Sequence, residues 1–248
     1  MRAAGIGRVG APVEVIETGE PRPLAGDEVL LEVMAAGVGN WDEFVRVGGW
    51  DVGAVPPMAL GVEAAGTVAA VGGAVSDWTP GDAVMTHPVP LRDQGTWAPM
   101  LIAPAALLAR KPHGVSWAAA AAFPIPGLTA EQVLSDALRV RAGEYLLVHG
   151  AAAAASAAPG GAASAILAVA DGGRLATITS DPPAEQRGIS VSSVYVHPDG
   201  RQLRDLATRF GDGRLEIPVG ANYRLADAAR ALARVTAGHA GGAVVLTP

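Results

Sequence analysis

The stretch YLLVHGAAAAASAAPGG (Tyr145–Gly161) decides how this chain is read. Its first half is a short apolar run ending in glycine. That pattern predicts a strand covered on both faces that turns into a helix, the usual entrance to a nucleotide site. Its second half runs into alanines. A doubly wound sheet needs successive strand–helix–strand units of about 30 residues each. The low-complexity run from Ala151 to Ala158 cannot supply one.

On the C-terminal side the pattern recovers. ASAILAVA reads as helix, GGRLATITS as strand and SVSSVYV as an edge strand. In GRQLRDLATRFGDG, residues Leu203, Leu206, Ala207 and Phe210 share one helical face. RLADAARALARV repeats the design with Leu225, Ala228, Ala229 and Leu232, and AVVLTP closes as a strand. On the N-terminal side, Ser116 caps a helix over SWAAAAAF. Thr129 and Gln132 suggest a capping box for GLTAEQVLSDALRVRAG. Before about residue 115 the texture is short strands punctuated by glycine, which predicts a barrel-like β domain. Within it Asn40 can cap a short helix, with Asp42 and Glu43 in its first turn and Gly48 at its end.

Composition sets outer limits. The chain has 248 residues, a net charge of −6 and no cysteine, which removes disulfides, thiolate zinc sites and a cysteine nucleophile. The acidic balance and the lack of a basic cluster argue against nucleic acid. No apolar run reaches about 18 residues, so no membrane span is expected. The opening MRAAGIGRVGAP does not read as a signal peptide, and a cytoplasmic protein is expected. No serine lies in a G-x-S-x-G elbow, so hydrolase chemistry is unsupported. The five histidines, at 87, 113, 149, 197 and 239, show no ligand spacing, and no metal is expected.

Several segments in order resemble the medium-chain dehydrogenase/reductase superfamily, in its zinc-free quinone oxidoreductase and enoyl reductase branch. They are GVGNWDEFVRVGGW, PPMALGVEAAGTVAAVGGAVSDWTPGDAVMTHP, GTWAPMLIAPAALLARKPHGVSWAAAAAFPIPGLTA, GEYLLVHGA and GRLEIPVGANYRLADAARAL…GGAVVLTP. The resemblance implies a mixed α/β chain. A GroES-like β-barrel domain would span 1–115 and 218–248, and a truncated Rossmann-like lobe 116–217. The implied activity is hydride transfer from NADPH to a quinone or an activated C=C bond, in a homodimer paired through the SVSSVYV strand. Zinc-dependent members carry Cys and a GHE motif where this chain has Gly39 and Gly61-Val62-Glu63. Glu63 is then expected to be structural, paired with an arginine. Members with an intact cofactor domain read GAAGGVG after the first Rossmann strand. Here Gly150 and Ala151 open the alanine run, and roughly 60–80 residues, about two βαβ units, are missing near 151–159.

By the same resemblance, Asn40 and Thr129 face the nicotinamide, Gly150 and Ala151 stand where the phosphates bind, and Ala243 replaces a lysine often found in the closing motif. Asn40, Asp42 and His87 are the candidate catalytic residues, with His87 a possible proton donor. Trp41 and Trp50 could wall a flat substrate. Each also has a plainer reading: Asn40 and Asp42 as helix cap and first-turn acid, Thr129 as a cap, the tryptophans as core, His87 as a partly buried surface histidine. Two functions follow. One is an NADPH-dependent quinone or enoyl reductase impaired by loss of its phosphate loop. The other is a GroES-like scaffold without cofactor or catalysis, produced by a natural or engineered deletion.

Overall fold

The computed structural model describes residues 1–148, 161–178, 182–238 and 241–248. His149, Gly150, Ala151 and His239 lie outside them. Strands β1 (Arg2–Ile6), β2 (Glu14–Glu17) and β4 (Met58–Ala59) form a small antiparallel sheet in the order β2-β1-β4. The larger sheet is centred on β3 (Glu28–Val38), which is followed by the short helix α1 (Asn40–Arg46). β3 pairs antiparallel with β5 (Ala64–Val71) and with β7 (Met100–Pro104). β6 (Ala83–Thr86) and β8 (Leu108–Arg110) continue from β5.

The C-terminal segment completes this sheet. After helices α2 (Trp117–Ala121), α3 (Pro124–Glu131), α4 (Gly161–Ala165) and α5 (Gly200–Gly211), the chain enters β11 (Val219–Arg224). It crosses over through α6 (Ala228–Thr236) to β12 (Ala243–Thr247). β11 and β12 are parallel, and β12 lies antiparallel on β3 with Val244 opposite Val38. β9 (Arg174–Thr177) and β10 (Ser190–Ser193) stand apart as a two-stranded parallel sheet.

The expected barrel does not close. Among the described residues β11 and β8 remain the outer strands of the large sheet, and no pairing joins them. The edge at β8 is covered by α5 instead, where the Gly200 Cα lies so close to the Ala106 carbonyl that a Cβ would overlap it. A covered edge needs no strand partner. Ala4, Ile6 and Met58 of the small sheet share one apolar core with Leu31, Val33, Val68 and Val244 of the large one.

Three local expectations change. Tyr145–Val148 is not a strand, and its side chains are exposed, Tyr145 fully and Leu147 by 61%. A strand buried on both faces needs neighbours on both sides; the parallel pair β9–β10, which the Arg174–Glu144 ion pair sets near this segment, has two strands. Helix α3 begins at Pro124, so Thr129 sits in mid-helix and caps nothing. Proline fits a first helical turn, whose N–H groups have no helical acceptor. Gln132 opens a single π-helical turn, Gln132–Ala137. Its buried amide donates to the His197 carbonyl (2.9 Å) and accepts from the His197 N–H (3.0 Å). In α6, Ala229 faces solvent, and the buried face is Ala228, Ala231, Leu232 and Val235.

Other readings match. The Ser116 hydroxyl accepts from the Ala119 N–H (3.2 Å). Leu203, Leu206, Ala207 and Phe210 are buried, and Phe210 stacks on Phe123 with ring centroids 4.1 Å apart.

Candidate active site

The site grows from the point where β3 ends and α1 begins. Gly39, not Asn40, is the N-cap of α1, with extended backbone dihedrals. Asn40 is the first helical residue. Asp42, at the third helical position, turns its carboxyl back so that Oδ2 accepts from the Gly39 N–H at 2.8 Å. This return contact serves a backbone donor that the helix leaves unpaired.

Gly39 is required for a second reason. A Cβ there would overlap the six-membered part of the Trp41 indole. The indole thus lies across the backbone at the position where a ligand side chain would otherwise project.

Facing this turn is the segment Gly61-Val62-Glu63, entering β5. The Gly37 N–H donates to the Glu63 carbonyl (3.2 Å), which sets the two segments side by side. Glu63 is buried, and its partner is not an arginine. Oε2 accepts from the Ile125 N–H at 2.8 Å, tying the β domain to the first turn of α3. Its carboxyl packs over Gly37, where a Cβ would collide with it. Gly61 has a φ of +92° and leaves room for Trp97 and Thr96. The Trp97 indole N–H donates to the Gly37 carbonyl (2.9 Å) and the Thr96 hydroxyl to the Glu63 carbonyl (2.9 Å).

His87 follows β6 and is 1% exposed, so it is not a surface histidine. Its Nδ1 lies 2.6 Å from the Val62 carbonyl. A carbonyl only accepts, so Nδ1 carries the proton and Nε2 is left as an acceptor. Trp50 stands against the imidazole, centroids 6.1 Å apart.

The electrostatics follow from burial. Asp42 is fully buried, and loss of solvent pushes its pKa up to about 8 against the opposing Gly39 N–H. Burial also drives Glu63 well above the ordinary carboxylate range; the Ile125 N–H opposes this and the nearby Asp42 adds to it. Burial pulls His87 down to about 4, with the Val62 carbonyl opposing and His197 adding a smaller push downward. Near neutral pH the cluster is therefore uncharged: two carboxylic acids and a neutral imidazole.

The structure sets Asn40, Trp41 and Asp42 on the turn that follows β3, and Trp50 against His87, whose imidazole is bonded to Val62 of the facing segment. Thr129 and Ala243 stand on other elements, and Gly150 and Ala151 lie outside the described residues. Thr129 lies one and a half turns into α3. Ala243 is buried in β12 beside Ala122 and Val245. Sequence reading missed Thr96 and Trp97, which brace the glycines of both segments. The signal was available in the paired glycines Gly37 and Gly61, whose missing side chains leave space for an indole and a carboxyl.

Two family models match the chain: "Alcohol dehydrogenase GroES-like domain" over residues 25–140 and "Zinc-binding dehydrogenase" over residues 139–246. Among curated relatives, the pikromycin polyketide synthase component PikAII of Streptomyces venezuelae is 37% identical over 136 residues, 55% of this chain. A quinone oxidoreductase of Pongo abelii is 31% identical over 154 residues, 61% of this chain and 46% of the relative. Erythronolide synthase EryA2 of Saccharopolyspora erythraea is 41% identical over 132 residues, and the chain spans 3% of the length of each of these two synthases. Solved structures share the fold. The quinone oxidoreductase from Coxiella burnetii superposes with a TM-score of 0.84 at 20% identity, covering 100% of this chain and 99% of that one. The CurK enoyl reductase gives 0.80 at 18% identity, covering 99% and 98%.

Proposed function

Because the chain belongs to the medium-chain dehydrogenase/reductase superfamily, we propose that it is an oxidoreductase of the quinone reductase or enoyl reductase type. The substrate would be a quinone or an activated C=C bond, and NADPH the hydride source of the lineage. The observation that carries this reading is the unbroken run of the two family models from residue 25 to residue 246. The zinc-free branch is favoured by residue chemistry. Gly39 and Val62 offer no ligand atom, and among the described residues no three His, Cys, Asp or Glu side chains are grouped to hold a metal.

The residues present fit the dinucleotide poorly. A phosphate cradle needs a strand, a tight turn and a helix N-terminus in succession. Here Tyr145–Val148 is exposed and not a strand, and Gly150 and Ala151 lead into alanines. In this reading the chain's own residues supply a buried, neutral substrate site. Asn40 and Asp42 anchor its helix, Trp41 and Trp50 wall it, and His87 offers an acceptor nitrogen. In this geometry His87 holds its proton against Val62, so proton delivery to product falls to solvent or to Asp42.

The exposed apolar stretch favours a second reading, a scaffold that has lost cofactor binding. Isothermal titration with NADPH separates the two, together with NADPH oxidation in the presence of a simple quinone. Micromolar binding with quinone-dependent turnover supports the reductase; neither supports the scaffold. A homodimer and a cytoplasmic location belong to the same proposal. No described helix is long and apolar enough to cross a membrane.

A further inference from the structure

The chain has three phenylalanines, of which Phe123 and Phe210 are buried. The third, Phe44 on α1, is 56% exposed. Val47, three residues on and so beside it on the helix surface, is 48% exposed. Val9, in the turn after β1, is 52% exposed. The exposed pair Gly48–Gly49 joins these side chains. A Cβ on Gly48 would lie 2.8 Å from Val9 Cγ1, and one on Gly49 would lie 3.3 Å from Phe44 Cδ1. Val9 and Phe44 thus stand against adjacent residues of one bare stretch of backbone.

The charges beside this surface are spent. Arg46 Nε and Nη2 donate to the Glu43 carboxylate (2.7 and 2.6 Å), and its Nη1 donates to the Gly10 and Ala11 carbonyls (2.9 and 2.8 Å). The Gly10 N–H returns a bond to the Arg46 carbonyl (2.8 Å). The turn that carries Val9 is therefore fastened to α1, and the apolar surface is fixed in shape. One residue beyond Gly49 comes the half-buried Trp50, whose ring stands 6.1 Å from the His87 imidazole. His87 Nε2 is buried with no hydrogen-bond partner among the described residues. Native structures leave few such atoms. The apolar surface thus leads to a polar atom whose pairing is unspent.

Two kinds of occupant fit poorly. A stable protein interface takes about 20–30 residues a side, and this surface has three side chains and two glycines. A lipid surface is recognised through a basic rim. Here Arg46 is neutralised by Glu43, which leaves Arg8 as the one cation on the turn that carries Val9. A run of methylenes matches both the size of the surface and its lack of charge. Resting on the reductase reading, we propose that Val9, Phe44 and Val47, over the bare backbone of Gly48–Gly49, form a track for an alkyl chain, so that the substrate of this site carries a tail of several carbons beyond its reacting group.

The test is a titration of the whole ¹⁵N-labelled chain with 1-pentanol and with 1-nonanol. Their hydroxyl can donate to an acceptor such as His87 Nε2, and their chains hold nothing reducible. The Gly48 and Gly49 amide resonances are expected to move along saturating curves. Affinity should rise about twofold for each added methylene, as for a chain half buried on an open surface, so that the two Kd values differ about 16-fold. Phe44→Ser and Val9→Ser should each cut that ratio at least twofold; should one of them fail to fold, the other carries the comparison. Equal affinities, a ratio unmoved by the variants, unmoved Gly48 and Gly49 amides, or no saturation by millimolar 1-nonanol would overturn the proposal. Binding to phosphatidylcholine vesicles that Phe44→Ser abolishes, with the two alcohols bound equally, would overturn it in favour of a membrane contact. The titration contains no nicotinamide. A ratio near the expected value without quinone- or enone-dependent NADPH oxidation leaves the track standing and removes the reductase reading. Turnover of a short enone with equal alcohol affinities does the reverse.

Discussion

Asp42 shows how a single residue can weigh on the whole chain. Its carboxyl ionises near 4 when unfolded and near 8 when folded. Between those values the unfolded chain has released a proton that the folded chain still holds. Stability therefore falls as pH rises, by about 1.4 kcal/mol per unit from this group. Asp42→Asn keeps an acceptor for the Gly39 N–H and cannot ionise. Thermal unfolding from pH 5 to 8 should show the parent losing stability steeply and the variant much less, so the variant gains on the parent as pH rises. Parallel curves would mean that Asp42 is ionised in the fold. Gly39→Ala acts on the same turn. Its methyl would displace the Trp41 ring, and denaturant unfolding should show a loss of about 1–3 kcal/mol, the usual result of overpacking. Residues such as Asn40 and Asp42 were legible from the helix-start pattern, with the cap displaced by one position to Gly39. The neutral state of the cluster was not legible, because burial depends on segments far apart in sequence: residues 37–42, 61–63, 87 and 125.

At the scale of elements, amphipathic helices were easiest to read and the first strand of the cofactor lobe was read wrongly. Helix α5 has its four predicted residues buried because a 3.6-residue period needs only one surface to pack on, and β8 with α3 provides it. The strand at Tyr145 needed two neighbours that the described residues do not provide. A continuous apolar run carries no information about whether its partners exist. Likewise, the Thr129–Gln132 pair imitates a capping box inside a helix that Pro124 had already started. The stacked Phe123–Phe210 pair holds α5 against α3. Phe210→Ala should cost about 3–5 kcal/mol by chemical denaturation, and a cost under 1 kcal/mol would show that α5 is held by its β8 contacts alone.

For the whole molecule, the order of segments carried the superfamily, while barrel closure was not readable. Glycine-punctuated strands look alike whether the last edge meets a strand or a helix. The α/β lobe exposes Tyr145, Leu146, Leu147, Val148, Leu167 and Tyr195. Contiguous apolar exposure marks an association surface. Sedimentation should give a dimer, and Leu147→Asp should shift it toward monomer without lowering the unfolding temperature; a parent that sediments as a monodisperse monomer removes the homodimer.

One feature of the large sheet bears on how the chain comes into being. β12, made last, is the strand that lies on β3, one of the earliest, and β11 reaches the sheet only through it. During synthesis the far end of the central strand, residues 36–38, waits for its β12 partner until residues 243–247 emerge from the ribosome, whereas its first half is already paired with β7. The intervening lobe is a detour that leaves this architecture and returns to it. Its length can therefore change without altering the hand-clasp between β3 and β12.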